Sequence, residues 1–171
     1  KINCKYKISF IQIGIIGGVI FFVFTINFIA DPFNYNNYFD LGFNKDHISK
    51  IMNYRLFNLI KYKNKPKPIV LLGDSRGLHL REEYFKKCGF SVANVSYGGG
   101  TLYEAIDTFW LIIKNENIKA VILVIPFNIY NENNKLNLVP QAINILENPT
   151  YYYLNFLTTK ATLANLYYKL T

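Results

Sequence analysis

A strand-like apolar run that ends in a glycine, an acid and a serine is the feature of this chain best suited to chemistry. The run Ile69–Leu72 is followed by Gly73-Asp74-Ser75-Arg76, just before a predicted helix. A serine hydroxyl is a poor nucleophile, so catalysis requires it at an exposed turn beside donors for a developing oxyanion. The start of a helix offers free N–H groups. We therefore predict that Ser75 is a nucleophile.

Two more polar segments follow the next two predicted strands. A strand over Phe90–Val95 ends in the glycine loop Tyr97–Gly100, and a strand over Ala120–Ile125 is followed by Pro126-Phe127-Asn128. The carboxyl ends of parallel strands meet at one edge of a sheet. A hydroxyl, backbone donors and a side-chain amide are therefore predicted to converge there, and these are the components of an acyl-transfer site.

Alternating strands and helices predict the scaffold of this site. A helix is expected over Leu78–Lys87, and Thr101-x-x-Glu104 forms a capping box that opens another helix, to about Asn115. The third strand is an unbroken β-branched run of the kind that parallel sheets bury. We expect an α/β fold with a three-layer, doubly wound parallel sheet of flavodoxin-like type. An amphipathic helix is predicted over Asp46–Lys61, and helices again from Pro140.

In the order of its motifs the chain resembles the SGNH, or GDSL-type, hydrolase superfamily over residues 69–128. The segment Gly73-Asp74-Ser75 is similar to the first block of that superfamily. Asn94, followed by Gly99 and Thr101, is similar to the second block, and Asn128 to the asparagine of the third. Each motif alone is weakly specific, but their order and their positions at strand ends make the set more specific.

The resemblance implies roles for individual residues. Ser75 would be the nucleophile, and the N–H groups of Ser75 and Gly99 together with the amide of Asn128 would form the oxyanion hole. Three neighbours are predicted to contact the substrate: Asp74, Arg76 and Gly98. For two of them the residues leave alternatives, since Asp74 is also placed to cap the helix and Arg76 to pair with a surface carboxylate.

The resemblance also implies a function. Membrane-anchored members of the superfamily add or remove O-acyl groups on surface polysaccharides. The chain is thus expected to be an extracytoplasmic serine hydrolase or O-acyltransferase that acts on acyl esters of a cell-envelope polysaccharide, with no metal or organic cofactor. The alternative is a non-catalytic envelope-assembly or polysaccharide-binding protein on the same fold.

The chain departs from the family pattern in two places. Pro126 and Ile129 stand where the third block has glycine and aspartate. The last block, Asp-x-x-His, which supplies the general base, does not follow Asn128, and we expect it beyond Thr171 in a longer protein. His79 lies one helical turn after Ser75, but its ring would have to fold back past the helix start to act as the base, so we expect a surface histidine there.

The N-terminal segment predicts a membrane anchor. No charged residue occurs from Ile8 to Ala30, and about 20 such residues suffice to cross the ~30 Å hydrocarbon core. The run exceeds the ~7–15 apolar residues of a signal peptide. Lysines precede it and Asp31 follows, which predicts a cytoplasmic N-terminus and an external domain. The predicted units are residues 1–30 (tip and span), 31–64 (juxtamembrane segment and amphipathic helix) and 65–171 (SGNH-like domain).

Charge and cysteine content limit other functions. The net charge of +8 comes from scattered lysines, and a domain outside the cytoplasm does not meet nucleic acid, so the membrane and an acyl-ester substrate are the predicted partners. Cys4 and Cys88 are expected on opposite sides of the membrane, which excludes a disulfide between them. With two histidines and no Cys–His spacing, no metal site is predicted. The sequence does not define an oligomeric state.

Overall fold

A computed structural model describes residues 10–36, 38–43, 45–127, 133 and 135–170. The helices and strands within these ranges follow one another in this order: α1 Phe10–Ala30, α2 Lys45–Met52, α3 Tyr54–Asn64, β1 Ile69–Gly73, α4 Ser75–Leu78, α5 Glu82–Lys87, β2 Val92–Asn94, α6 Leu102–Ile112, β3 Ala120–Val124, α7 Val139–Glu147, α8 Pro149–Leu154 and α9 Phe156–Leu170. The mixed α/β class predicted from the sequence is confirmed.

The three strands form one parallel sheet with β1 in the centre, in the order β2-β1-β3. Ile69 pairs with Val92 of β2 and with Ala120 of β3, and Gly73 pairs with Val124. The three strands therefore start level and their carboxyl ends share one edge. This is the edge where the polar segments were predicted to converge.

The main hydrophobic core lies against one face of the sheet. Val70 and Leu72 point into it and pack with side chains of α3, α6 and α7. Leu71, which points the opposite way along the strand, is also buried, and it lies beside α4. A parallel sheet with helices packed on it is thus established. The three-layer, doubly wound arrangement stays a prediction.

The strand β3 is less buried than predicted. Ile122 and Leu123 are 37% and 44% exposed although they point to opposite faces of the sheet. The prediction of a buried third strand is therefore wrong for the described part of the chain. The reason is that β3 lies at the edge of the sheet, where no described strand pairs with its outer side.

The helix predicted over Asp46–Lys61 is two helices. The break is at Asn53, whose backbone is extended and whose side-chain oxygen accepts a hydrogen bond from the Leu56 N–H at 3.0 Å. An asparagine that caps the following turn favours a new helix start over continuation. Both helices place apolar side chains in the core, such as Ile48 of α2 and Ile60 of α3. Ile51 is an exception, since it is 61% exposed.

The helix predicted over Leu78–Lys87 begins later, at Glu82, as α5, and the separate short helix α4 ends at Leu78. The side-chain amide of Asn94 donates hydrogen bonds to the carbonyls of Gly77 and Leu80, at 2.8 and 2.9 Å. These bonds satisfy carbonyls at the C-terminal end of α4. Arg81 then adopts an extended conformation before α5 begins.

The helix α1 is long and apolar enough to cross a membrane. Its length and composition therefore agree with the predicted span. Its first thirteen residues, Phe10–Phe22, are exposed, but its last turns pack on α8 and α9. There the buried Asn27 donates to the Tyr153 carbonyl at 2.6 Å and to the Thr159 hydroxyl at 2.9 Å. The C-terminal end of the apolar helix is therefore built into the folded domain.

Asp31, the first charged residue after the apolar run, is buried rather than solvated. Its carboxylate accepts hydrogen bonds from the backbone N–H groups of Tyr35 and Asn36 and from the Tyr152 hydroxyl. Burial, together with the negative charge of Asp31, raises the pKa of Tyr152 well above its ordinary value. The tyrosine hydroxyl thus stays protonated and can donate to the carboxylate.

Candidate active site

Ser75 is exposed and is the first residue of α4, immediately after β1. Asp74 is buried, and its carboxylate caps α4 by accepting a hydrogen bond from the Arg76 N–H at 2.9 Å. The capping role considered for Asp74 is therefore present. Its predicted contact with a substrate, and that of the exposed Arg76, stay predictions.

Two glycines on either side of Ser75 let neighbouring segments of the chain approach closely. A β-carbon on Gly73 would lie 2.8 Å from the carbonyl oxygen of Val124 in β3. A β-carbon on Gly77 would lie 2.5 Å from Oγ of the buried Ser96. Both distances are shorter than ordinary contacts allow, so each glycine permits a close approach that a side chain would prevent. The residues on either side of Ser75 thus pack closely, Gly73 against the end of β3 and Gly77 against the segment that follows β2.

The glycine loop after β2 lies directly beside the end of β1. The Tyr97 N–H donates to the carbonyl of Gly73 at 3.0 Å, and a β-carbon on Gly100 would lie 3.1 Å from that same oxygen. Gly98 faces α4, with Leu78 Cδ1 3.7 Å from the position of its missing β-carbon. The structure therefore brings the first two sequence blocks together at one edge.

Gly99, the predicted oxyanion donor, is exposed and has a φ of +65°. This left-handed conformation is readily adopted only by glycine. It belongs to a turn that is closed by a hydrogen bond from the Gly100 N–H to the Tyr97 carbonyl at 3.0 Å. The role of the Gly99 N–H as an oxyanion donor stays a prediction.

Asn128, the third predicted oxyanion donor, lies outside the described residues. The strand before it, β3, does end at the edge in question, since Val124 pairs with Gly73. The place and the role of Asn128 both stay predictions.

An ion pair that the sequence did not reveal holds the glycine loop. Arg55 of α3 binds Glu104 of α6 through two hydrogen bonds, from Nε at 3.0 Å and from Nη2 at 3.1 Å. The Arg55 Nη2 also lies 3.5 Å from the Gly98 carbonyl, and its guanidinium lies over the Tyr97 ring. A two-pronged contact of this kind fixes orientation as well as distance. Arg55 therefore links α3, α6 and the glycine loop.

Glu104 is fully buried, and its carboxylate accepts hydrogen bonds from several partners. The predicted capping box is present, because Glu104 accepts from the Thr101 N–H while the Thr101 hydroxyl accepts from the Glu104 N–H. Its other oxygen accepts from the Leu138 N–H at 3.1 Å. The sequence predicted the local capping contact, but the pairing with Arg55, 49 positions away, has no local pattern.

No described histidine is positioned as a base for Ser75. His79 is exposed at the C-terminal end of α4 and has no hydrogen bond to Ser75, and His47 is exposed on α2 with its ring against Tyr168. The surface position of His79 agrees with the sequence analysis. Nor do three histidine, cysteine, aspartate or glutamate side chains cluster within the described ranges as a metal would require.

Glu82 ties the second block to the start of the sheet. Its carboxylate accepts from Lys67 Nζ at 2.6 Å and from the Asn94 N–H at 3.1 Å, and Lys61 lies 3.9 Å away. Burial raises the pKa of Glu82, but these hydrogen bonds and the two lysine charges outweigh it, so the pKa falls below its ordinary value of 4.5. The folded state therefore favours the ionised form.

This shift predicts a pH-dependent contribution to stability. Because the pKa of Glu82 is lowered by folding, its contribution is present above the unfolded value and is lost as the pH falls through the folded value. Replacing Glu82 by glutamine should lower the free energy of unfolding at pH 7, and the difference from the wild type should shrink toward about pH 3. Urea unfolding in detergent at both pH values measures this.

The matched control is Glu83→Gln, which changes the exposed neighbour of Glu82. It should alter stability little at pH 7, because Glu83 has no ion pair within the described ranges. If Glu82→Gln lowered the free energy of unfolding equally at both pH values, the prediction would be contradicted.

The fold and the site together define a class: an α/β protein with a parallel sheet, an apolar N-terminal helix, and an exposed serine beside a glycine loop at the carboxyl edge. Comparison with protein-family models, with curated proteins and with solved structures gives no match to this chain. The resemblance to SGNH hydrolases therefore rests on the motifs and their placement.

Proposed function

We propose that this chain belongs to a membrane-anchored, SGNH-like serine hydrolase or O-acyltransferase that acts on acyl esters of a cell-envelope polysaccharide. The observation that carries the proposal is the contact between the first two blocks. An exposed serine at a helix start lies on the turn that follows Gly73, and the carbonyl of Gly73 accepts from the glycine loop. This is the neighbourhood that an acyl-transfer nucleophile requires.

In the proposed reaction, Ser75 Oγ attacks the acyl carbonyl carbon and gives its proton to a base. The N–H groups of Ser75 and Gly99 and the Asn128 amide stabilise the oxyanion. The bond to the sugar oxygen then breaks, and the protonated base returns the proton to that leaving oxygen. Water completes hydrolysis of the acyl-serine, and a second hydroxyl completes transfer. Losing one oxyanion donor in such sites costs ~10²–10³ in turnover.

The proposed base comes from outside the described residues, since neither described histidine forms a hydrogen bond with Ser75. The proposal assigns it to the Asp-x-x-His block that the superfamily resemblance implies. Experiments on catalysis therefore use the full-length protein. Substrate contacts are proposed for Arg76, which is exposed next to Ser75, for Gly98, which is exposed near Leu78 of α4, and for Asp74.

The anchor sets the proposed location. The apolar helix α1 spans the membrane, and Lys1, Lys5 and Lys7 keep the N-terminus in the cytoplasm. The α/β domain then lies outside the cytoplasm, where acylated envelope polymers are found. Crossing the membrane separates this domain from nucleic acid.

A fluorophosphonate probe tests the serine chemistry directly. An activated serine forms a covalent phosphonyl ester with loss of fluoride, whereas an ordinary surface serine does not. In the full-length protein we expect one adduct, mapped by peptide mass spectrometry to the peptide that contains Ser75. Ser91, exposed at the amino end of β2, is the matched serine that should stay unlabelled.

The absence of labelling at Ser75 in the folded full-length protein would contradict the proposal. That outcome would favour the second candidate, a non-catalytic envelope-assembly or polysaccharide-binding protein. The observation behind this candidate is that no hydrogen bond joins Ser75 to a histidine among the described residues.

A further inference from the structure

The exposed part of α1 is too short to cross a bilayer unless the domain comes close to the lipid. The thirteen exposed residues Phe10–Phe22 cover about 20 Å, while the hydrocarbon core is about 30 Å thick. The nearest charge on the N-terminal side is Lys7. The remaining apolar length of α1 lies in the last turns, which pack on α8 and α9. The surface around those turns must therefore lie at the depth of the lipid.

This surface is apolar on the side of the juxtamembrane segment. The Phe28 ring of α1 lies 6.0 Å from the ring of Tyr38 and 6.2 Å from that of Phe39, between ring centres. Tyr38 is 68% exposed and Phe39 is 41% exposed. Tyrosine in such a position is typical of the membrane–water interface.

The surface is also apolar on the side of α9. Thr159 contacts Asn27 of α1, and residues three before and four after it share its side of the helix. These residues are Phe156 and Leu163, which are 79% and 61% exposed. The exposed Lys160 lies between them and has a chain long enough to reach the headgroups.

The polarity of α9 is inverted relative to a helix on the surface of a soluble domain. Three of its four buried residues are polar, namely Thr158, Thr162 and Asn165, and the fourth is Ala161. Its exposed side carries the large apolar residues Phe156 and Leu163 beside Lys160. A surface helix normally buries its apolar face and exposes its polar one. The inverted pattern fits a helix whose outer side meets lipid.

We propose that Tyr38, Phe39, Phe156, Lys160 and Leu163 form a collar around the base of α1 that docks the domain onto the bilayer surface. The occupant of this collar is the lipid of the membrane in which α1 is anchored. The collar continues the apolar surface of α1. Together with the exposed part of α1 it provides an apolar surface that matches the thickness of the hydrocarbon core. This inference rests on the proposed membrane anchoring and is independent of the proposed chemistry at Ser75.

Tryptophan reporters in brominated lipid test the collar. The chain has one tryptophan, Trp110, exposed on α6. In a Trp110→Phe background, Leu163→Trp reports on the collar and Phe21→Trp on the exposed part of α1. The full chain is reconstituted in phosphatidylcholine nanodiscs with or without bromine on the acyl chains, and the fluorescence is compared.

We expect the brominated lipid to reduce the fluorescence of both reporters by about half or more, because both lie at lipid depth. Wild-type Trp110, on a helix outside the collar, is the matched control and should change little. Quenching of the α1 reporter with a collar reporter that behaves like Trp110 would overturn the collar and leave the anchor standing. No quenching of the α1 reporter would overturn the anchoring itself, and the collar with it.

Discussion

Replacing Ser75 by alanine in the full-length protein should abolish the release of p-nitrophenol from p-nitrophenyl acetate. The hydroxyl is the proposed nucleophile, and the loss of a catalytic serine lowers turnover by roughly 10⁴-fold or more. Ser75 is exposed at the start of α4, so the shorter side chain should leave the fold intact. The measurement is kcat for the two proteins, with thermal unfolding recorded alongside.

The control for this substitution is Ser91→Ala, which removes an exposed hydroxyl at the opposite end of the sheet. Its turnover should equal that of the wild type. Unchanged turnover in Ser75→Ala, with folding intact, would refute the hydrolase proposal.

Replacing Arg55 by alanine should lower the free energy of unfolding by about 3–5 kcal/mol. Glu104 is fully buried, and without the guanidinium its charge would have no ionic partner in the described part of the chain. An uncompensated buried charge is strongly destabilising, whereas the intact pair contributes less than this difference suggests. Urea unfolding in detergent at pH 7 gives the value.

Two further variants separate the ion pair from general effects. Arg81→Ala removes an exposed arginine that provides no side-chain cap to α5, and it should change stability little. The double variant Arg55→Ala/Glu104→Gln removes both charges and should cost less than the sum of the single changes. Strict additivity would mean that the two residues do not interact.

The strands and the capping box were predictable because their signals are local. The apolar run of β1 and the Thr101–Glu104 box each lie within a few residues, and each forms as expected. Neither helix break was predicted, although one of the two has a local cause. Asn53 caps a neighbouring turn, whereas Asn94 bonds the carbonyl of Gly77 from 17 positions away.

In the candidate site, too, local patterns were predictable and contacts between distant residues were not. The nucleophile and the glycine loop could be located from the order of motifs along the chain. The residue that holds the loop, Arg55, could not, because its partner Glu104 is distant in sequence and neither residue belongs to a motif that links them. The burial of Asp31 was likewise hidden, since a charge after an apolar run ordinarily faces water. Its partner Tyr152 comes from the other end of the chain.

The packing of the last turns of α1 has a practical consequence for making a water-soluble fragment. Cutting at Ala30 would remove Asn27, which donates to the Tyr153 carbonyl and to the Thr159 hydroxyl, and Phe24, whose ring lies against Tyr153. The shortened polypeptide would have a cavity where these two side chains pack in the folded domain. A fragment that begins at Val23 lacks the exposed apolar part of α1 and keeps all of these contacts.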